Sequence, residues 1–365
     1  MQRKFLVSGS NRKSLYDTGK GRAFRLTSAE AAEFKRFSYA KQGLLPFIKG
    51  NKGLRLKHAN LELTARCNLR CKHCYGGEEF GKGAKELSTR QWKKIIKEIA
   101  GFNPKFLLFT GGECTLRRDF VELLRYAHNL GQNTSVFSNL TALSEEQAVA
   151  LKETGAIVQF SAYGHNAELH DSITCIQGSF ARQQEALRKL TALKVPLRGQ
   201  AILMKENFSS REQIKKHFRK LGVPIEFSIA RPGGRQEASG IPGCASCSFP
   251  KGYLEAAGSS ASVDRDFFVL KHFYNDCWAQ RCVVTAQGKV LACPFARERS
   301  FGDLTKESFA GARKRLLRNA ACYKIDHING CKECSLRYAC IDCRSWAKAL
   351  TGRWKGKNEY CKEID

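Results

Sequence analysis

The chain has 365 residues, a formal charge of +28 and 42% apolar content. That length suits one large domain with a smaller one, and that apolar share is enough to bury a core. No apolar run reaches the ~18 residues of a membrane span, and the N-terminus lacks the apolar stretch of a signal peptide, so a cytoplasmic protein is expected.

The charge attracts polyanions. Its basic residues are spread along the whole chain, however, so the surface reads as solvated with a preference for acidic partners. The aromatic-and-basic sheet motifs of a nucleic-acid binder are lacking. Sixteen cysteines do not read as a secreted disulfide framework. In a reducing compartment, cysteines at short spacing more often bind metal.

Residues 1–55 form an N-terminal extension. Phe5-Leu6-Val7 and Ala23-Phe24-Arg25-Leu26 are expected to pair across the turn Gly19 to Gly21, and Thr27…Glu30 reads as a capping box opening a helix to about Phe37. From 56 to 230, strand and helix signals alternate. The strand candidates are Ala59–Leu63, Phe106–Thr110, Ser135–Ser138, Ile157–Ser161, Gln200–Leu203 and Ile225–Ile229. Capping boxes at Ser88…Gln91, Ser144…Gln147 and Ser209…Glu212 open helices between them. Such alternation implies a parallel sheet with right-handed crossovers. Residues 231–270 are rich in Gly, Ser and Ala and read as a bridge or mobile loop. Residues 271–365 hold nine of the sixteen cysteines.

The loop after the first strand reads Cys67-Asn68-Leu69-Arg70-Cys71-Lys72-His73-Cys74-Tyr75, a C-x3-C-x2-C run. Three closely spaced thiolates can hold three irons of a [4Fe–4S] cube and leave the fourth iron open. A zinc loop is the alternative, but structural zinc sites favour four ligands in separated pairs, and His73 is badly placed as a fourth. With Tyr75 following, the run resembles the signature of the radical SAM superfamily. The resemblance implies an α/β protein: a partial (β/α)6 TIM-type barrel with a small cysteine-rich C-terminal iron–sulfur domain, its chemistry at the carboxyl ends of the strands. It also implies that S-adenosylmethionine binds the open iron and is reductively cleaved to a 5′-deoxyadenosyl radical.

Further motifs carry the resemblance along the chain. Phe109-Thr110-Gly111-Gly112-Glu113 resembles the family's GGE motif, with Cys114 where the family usually has Pro. Glycines permit close backbone approach to a ligand, and Glu113 suits the amino group of the cofactor. Tyr75, Ser138, Asn139 and Ser161 sit where family members contact it, although polar strand ends also cap turns. The run from Val158 to Phe180, with His170 and Asp171, is similar to the fourth-strand region of the peptide-modifying branch; His170 and Asp171 are read as holding that loop together. The strands and helix of residues 1–55 look like part of a peptide-leader recognition element, or equally a plain extension packed on the barrel.

The C-terminal cysteines are similar to the SPASM extension, which holds two auxiliary [4Fe–4S] clusters. By that resemblance Cys277, Cys282, Cys293 and Cys343 bind the nearer cluster, and Cys331, Cys334, Cys340 and Cys361 the farther one. The x2 gap from Cys340 to Cys343, where the family more often has x3, leaves that partition open, and paired zinc ribbons are the alternative. Five cysteines remain: Cys114, Cys175, Cys244, Cys247 and Cys322. Cys244 and Cys247 are candidate hydrogen-atom donors, substrate anchors, cluster ligands or a surface pair without a role.

The resemblance thus implies three [4Fe–4S] clusters and S-adenosylmethionine, a ribosomally made peptide substrate with an acidic leader, and an electron donor such as flavodoxin or ferredoxin. The outcome is a crosslink, an oxidation or an epimerisation. Three rivals stand beside it: sulfatase maturation, a quinone- or haem-related cofactor pathway, and a zinc-stabilised nucleic-acid binder. Sulfatase maturases place an Asp directly after the third cysteine of the nearer site, where this chain has Pro294.

Overall fold

The computed structural model describes residues 5–8, 14–17, 22–25, 54–80, 85–235, 260–262, 267, 270–332, 337–338, 340 and 342–357. By compactness the chain divides into two units. One comprises Met1–Arg55, Ala245–Gln280 and Leu316–Asp365; the other comprises Leu56–Cys244 and Arg281–Arg315.

The N-terminal strands are β1 (Phe5–Ser8), β2 (Ser14–Asp17) and β3 (Arg22–Arg25). The sequence pairs the first with the third across the glycines. In the structure β2 lies between them, antiparallel to both, because consecutive strands joined by short turns pair as neighbours. The helix expected from Thr27 lies outside the described residues.

The second unit follows the strand–helix alternation. It runs β4 (His58–Thr64), α1 (Thr89–Ala100), β5 (Phe106–Gly111), α2 (Phe120–Asn129), β6 (Thr134–Ser138), α3 (Glu145–Glu153) and β7 (Ile157–Ala162). Then come α4 (Ala167–Thr174), α5 (Ser179–Ala192), β8 (Leu197–Leu203), α6 (Arg211–Lys220) and β9 (Ile225–Ile229). Strands β4 to β9 are hydrogen-bonded in sequence order and all parallel. Their register aligns Leu61, Phe109, Val136, Val158 and Leu197 as successive neighbours. The first four are fully buried, and each such side chain contributes about 1.5–3 kcal/mol of transfer free energy.

The boxes at Ser88–Gln91 and Ser144–Gln147 form as read, each Ser oxygen accepting from the N3 amide while the Gln reaches back. The box at Ser209 does not form. Helix α6 begins after Ser210, which makes no side-chain cap. Buried Asn207 takes over the turn instead: its Oδ1 accepts from the Met204 amide at 2.7 Å, and its Nδ2 donates to the carbonyls of Tyr163 and Ile202, each at 2.9 Å.

Strand β10 (Ser260–Ser262), within the tract read as a bridge, pairs antiparallel with β3. After α7 (Asp276–Gln280), β11 (Arg281–Val284) runs parallel to β4 on its open edge, and β12 (Lys289–Leu291) and β13 (Ser300–Asp303) continue antiparallel to a nine-stranded sheet. Residues 281–315, which the sequence groups with the C-terminal region, thereby cover a sheet edge that would otherwise expose unpaired backbone. Two helices follow, α8 (Phe309–Cys322) and α9 (Arg344–Thr351). The first unit is braced by buried charge. Lys271 lies 2.8 Å from Asp276, and Arg344 pairs with Asp342 while donating to the carbonyls of Trp354 and Gly356.

Candidate active site

Strand β4 ends at Thr64, and the chain turns directly into the three-cysteine loop. The end of β5 grips the base of that loop. Gly112 N–H donates to the Thr64 carbonyl at 2.9 Å, and Glu113 N–H to the Arg66 carbonyl at 2.8 Å. A Cβ on Gly112 would stand 2.3 Å from the Arg66 oxygen, and one on Gly111 2.2 Å from the Thr64 oxygen. The two glycines thus serve close backbone-to-backbone approach, where the sequence assigns that freedom to a ligand. Farther along, Arg70 and Lys72 amides donate to the Thr174 and Ile173 carbonyls at the end of α4, each at 3.0 Å. Asn68 ties the loop to the end of β6: its Nδ2 donates to Thr141 Oγ1 at 2.8 Å, and its Oδ1 accepts from Asn139 Nδ2 at 3.0 Å.

Cys67, Cys71 and Cys74 are free and half-buried. Burial pushes the Cys67 thiol up to about 11 and Cys71 further, and charge on neighbouring cysteine sulfurs raises both again. That mutual effect places the three sulfurs within electrostatic reach of one another. The Leu69 amide donates to Cys67 Sγ at 3.4 Å, and Cys71 packs against the apolar cluster of Tyr163, Ile173, Met204 and Ala230. Among the described residues no three His, Cys, Asp or Glu side chains converge on a point that would hold a single ion. Three half-buried thiols on one short loop, with the Leu69 amide donating to one of them, fit a multi-iron group in which each thiolate meets its own metal. His73 stands edge-on to Tyr163, ring centroids 4.7 Å apart, and burial lowers it to about 4.

Glu113, 1% exposed, is saturated. Its Oε1 accepts from Thr115 N–H (3.1 Å), Thr115 Oγ1 (2.7 Å) and Ser138 Oγ (2.8 Å), and its Oε2 from the Asn139 amide (2.6 Å). Burial raises its pKa and these donors oppose the rise. Ser138 and Asn139 are therefore brought to Glu113, and through Asn68 to the cysteine loop. Ser161 joins through Gln183, whose Nε2 donates to the carbonyls of Asn139 (3.0 Å) and Ser161 (2.9 Å). The Gln183 Oε1 is buried without a hydrogen-bond partner. Sequence reading missed Gln183. Its signal is a polar residue in the apolar stripe of α5, in helical register with buried Ala186, Leu187 and Leu190. Tyr75 packs against Phe80 and Phe295, at centroid distances of 5.3 and 5.5 Å.

Asp171 accepts from Gly178 N–H, Ser179 Oγ and Phe180 N–H at 2.7–2.8 Å and so caps α5, the loop-holding role expected of it. His170 is fully buried, and burial lowers it to about 4. Cys114 is fully buried with Sγ 3.4 Å from the Phe137 carbonyl. Burial raises its pKa well above the ordinary thiol value, which makes it an inert packing thiol. Brief alkylation of the folded protein with iodoacetamide is expected to mark exposed Cys175 and Cys322 and spare Cys114; peptide mapping reads the pattern, and early labelling of Cys114 would contradict its burial.

The remaining described cysteines fall between Cys277 and Cys343. Cys282 is buried on β11, Cys293 is buried just after β12, and Cys277 is half-buried on α7. Cys331 is buried, Cys340 is half-buried, and Cys343 is the N-cap residue of α9. Cys244, Cys247, Cys334 and Cys361 lie outside the described residues.

A partial parallel barrel that delivers three half-buried thiols from the carboxyl end of its first strand defines an iron–sulfur enzyme of the α/β barrel class. A sequence profile of the Radical SAM superfamily matches residues 61–218. The chain is similar to the PqqA peptide cyclase of Rhodopseudomonas palustris, 33% identical over 182 residues, which cover 50% of this chain and 46% of the cyclase. The chain thus spans about half the length of that relative. It is also similar to the mycofactocin maturase MftC of Mycobacterium tuberculosis, 30% identical over 74% of this chain and 76% of the maturase. The AdoMet-dependent heme synthase of Methanosarcina barkeri is 27% identical over 82% of this chain and 94% of the synthase. In fold it is similar to the crystal structure of Streptococcus suis SuiB bound to precursor peptide SuiA, with a TM-score of 0.65, 12% identity, and coverage of 92% of this chain and 81% of SuiB. The chain belongs to the radical SAM superfamily, a family that implies a [4Fe–4S] cluster and S-adenosylmethionine. Among the described residues no helix is long and apolar enough to cross a membrane.

Proposed function

We propose that this chain modifies a ribosomally made peptide by hydrogen-atom abstraction. The observation that carries the reading is the likeness to a peptide cyclase and to a mycofactocin maturase, joined to a three-cysteine loop that suits a cluster. When bound, that cluster delivers an electron to S-adenosylmethionine, and the cleavage supplies a radical able to attack an unactivated C–H bond.

The protein's own residues bind and orient. Cys67, Cys71 and Cys74 hold the cluster. Gly111 and Gly112 fix the base of the loop, and Asn68, Asn139 and Thr141 fix its flank. Tyr75, Glu113, Ser138, Asn139 and Ser161 form the cofactor wall. The Glu113 carboxylate, already held by four donors, accepts a cofactor ammonium when the rotatable Ser138 hydroxyl turns aside. Gln183 Oε1, buried and unpaired, offers an acceptor to a hydroxyl or amino group brought there. The eight C-terminal cysteines, Cys277, Cys282, Cys293, Cys331, Cys334, Cys340, Cys343 and Cys361, are proposed to hold two auxiliary clusters, giving about twelve irons in all. Cys244 and Cys247 are proposed as thiol donors. The surface charge of +28 suits an acidic leader and an acidic electron donor.

A second reading has its own support in the heme synthase likeness, which extends over most of both chains. Anaerobic co-expression with short peptides encoded beside this chain separates the two, read by mass spectrometry. A crosslink removes a pair of hydrogen atoms. An epimer keeps its mass and gains a deuterium in heavy water. Unmodified peptides together with turnover of a tetrapyrrole would replace the peptide reading with the second one.

A further inference from the structure

The segment Arg231 to Arg235, shortly after β9, reads from composition as the start of a mobile bridge, yet Gly234 and Arg235 lie on the backbone of the cysteine loop. The Arg235 amide donates to the Cys74 carbonyl at 3.0 Å. Its Nε donates to the Cys71 carbonyl at 3.0 Å and its Nη1 to the Gly77 carbonyl at 3.3 Å. One residue therefore grips three carbonyls across the stretch that presents Cys71 and Cys74. Gly234 makes the approach possible: at φ +63° its missing Cβ would lie 2.1 Å from the Cys74 oxygen and 2.7 Å from the Tyr75 carbonyl carbon. The two Arg235 side-chain bonds set the fixed guanidinium charge directly against the loop between Cys71 and Gly77.

Neither the Cys motif nor the GGE motif contains this residue, and it comes from the opposite edge of the barrel. We propose that Arg235 is a positioning residue for the cluster loop: its planar fork sets the carbonyls of Cys71 and Gly77, and its fixed charge offsets the negative charge gathered on the three sulfurs. The inference rests on the reading of this loop as the cluster site. A neighbouring cation favours the reduced, more negative form of a cluster and so raises its potential. Lysine keeps the charge and loses the fork; glutamine keeps neither.

The full chain, reconstituted anaerobically as wild type, Arg235→Lys and Arg235→Gln, tests this. The reduced cluster is followed by electron paramagnetic resonance, using the part of the signal that changes when S-adenosylmethionine is added. Arg235→Gln is expected to shift the reduction equilibrium about tenfold toward the oxidised form, about 59 mV for one electron. Arg235→Lys is expected to restore the midpoint while keeping an altered line shape, the mark of a loop held without its fork. A wild-type midpoint and line shape in Arg235→Gln would overturn the proposal. If the glutamine variant takes up no iron, the lysine variant decides: a wild-type midpoint with altered line shape supports the proposal, and a midpoint lowered about tenfold overturns the charge role. Failure of the underlying reading looks different, since iron uptake and the cofactor-sensitive signal would then survive loss of Cys67, Cys71 and Cys74.

Discussion

Replacing Gly112 with Ala is expected to dislodge the cysteine loop from the barrel. The new Cβ would meet the Arg66 carbonyl oxygen at 2.3 Å and its carbon at 2.7 Å. Both are backbone atoms, which cannot swing away as a flexible side chain would. Relief requires β5 and the loop to part, and that breaks the Glu113 N–H bond to the Arg66 carbonyl and the Gly112 N–H bond to Thr64. Overpacking of this kind and the lost bonds together cost about 3 kcal/mol. The strain falls within one residue of Cys67, so the loss of iron at the loop should exceed the loss of global stability. Iron content and denaturant midpoint, measured on the same preparation, check this. Wild-type iron in Gly112→Ala would show that the contact does not position the loop.

Replacing Arg297 with Met is expected to be as damaging for a different reason. Arg297 forks onto Glu62, with Nη1 2.9 Å from Oε1 and Nη2 3.1 Å from Oε2, while its Nε reaches Glu79 at 2.7 Å. Glu62 is 1% exposed on β4. Burial raises its carboxyl pKa, and Arg297 supplies the main opposing pull. Without the guanidinium a carboxylate stays buried and unmatched, at a cost of about 3–5 kcal/mol. The pH dependence follows from the sign of that shift. A carboxyl whose folded pKa lies above its unfolded value binds more protons when folded, so stability is retained at low pH and lost as pH rises through the raised value. With the lowering pull of the guanidinium gone, Arg297→Met should therefore lose stability relative to wild type as pH rises above the ordinary carboxylate range. The double variant Glu62→Gln with Arg297→Met buries no charge and should recover much of the loss. A single variant as stable as wild type at pH 8 would contradict the account of this pair.

The barrel was legible because its strands are short apolar runs set between helices with capping boxes; five of the six run one or more residues longer than read, and Ile225–Ile229 coincides with the reading. Where a local rule failed, a tertiary contact won: Ser209 has the spacing of a cap, but Asn207 is drawn to the carbonyls of Tyr163 and Ile202. At the site, the three cysteines and Gly111–Glu113 stand out because their spacing is itself the signal. Asn68, Thr141, Gln183 and Arg235 do not, because each acts on groups from 22 to 164 positions away or on a neighbour so held. Composition misled at Arg231 to Arg235, where the glycines read as mobility and Gly234 instead allows close packing on the loop.

The most direct measurement is formation of 5′-deoxyadenosine from S-adenosylmethionine by the reconstituted protein under dithionite, with and without Ala at Cys67, Cys71 and Cys74. The account predicts product from the wild type and none above background from the triple variant. Equal product from both would contradict it.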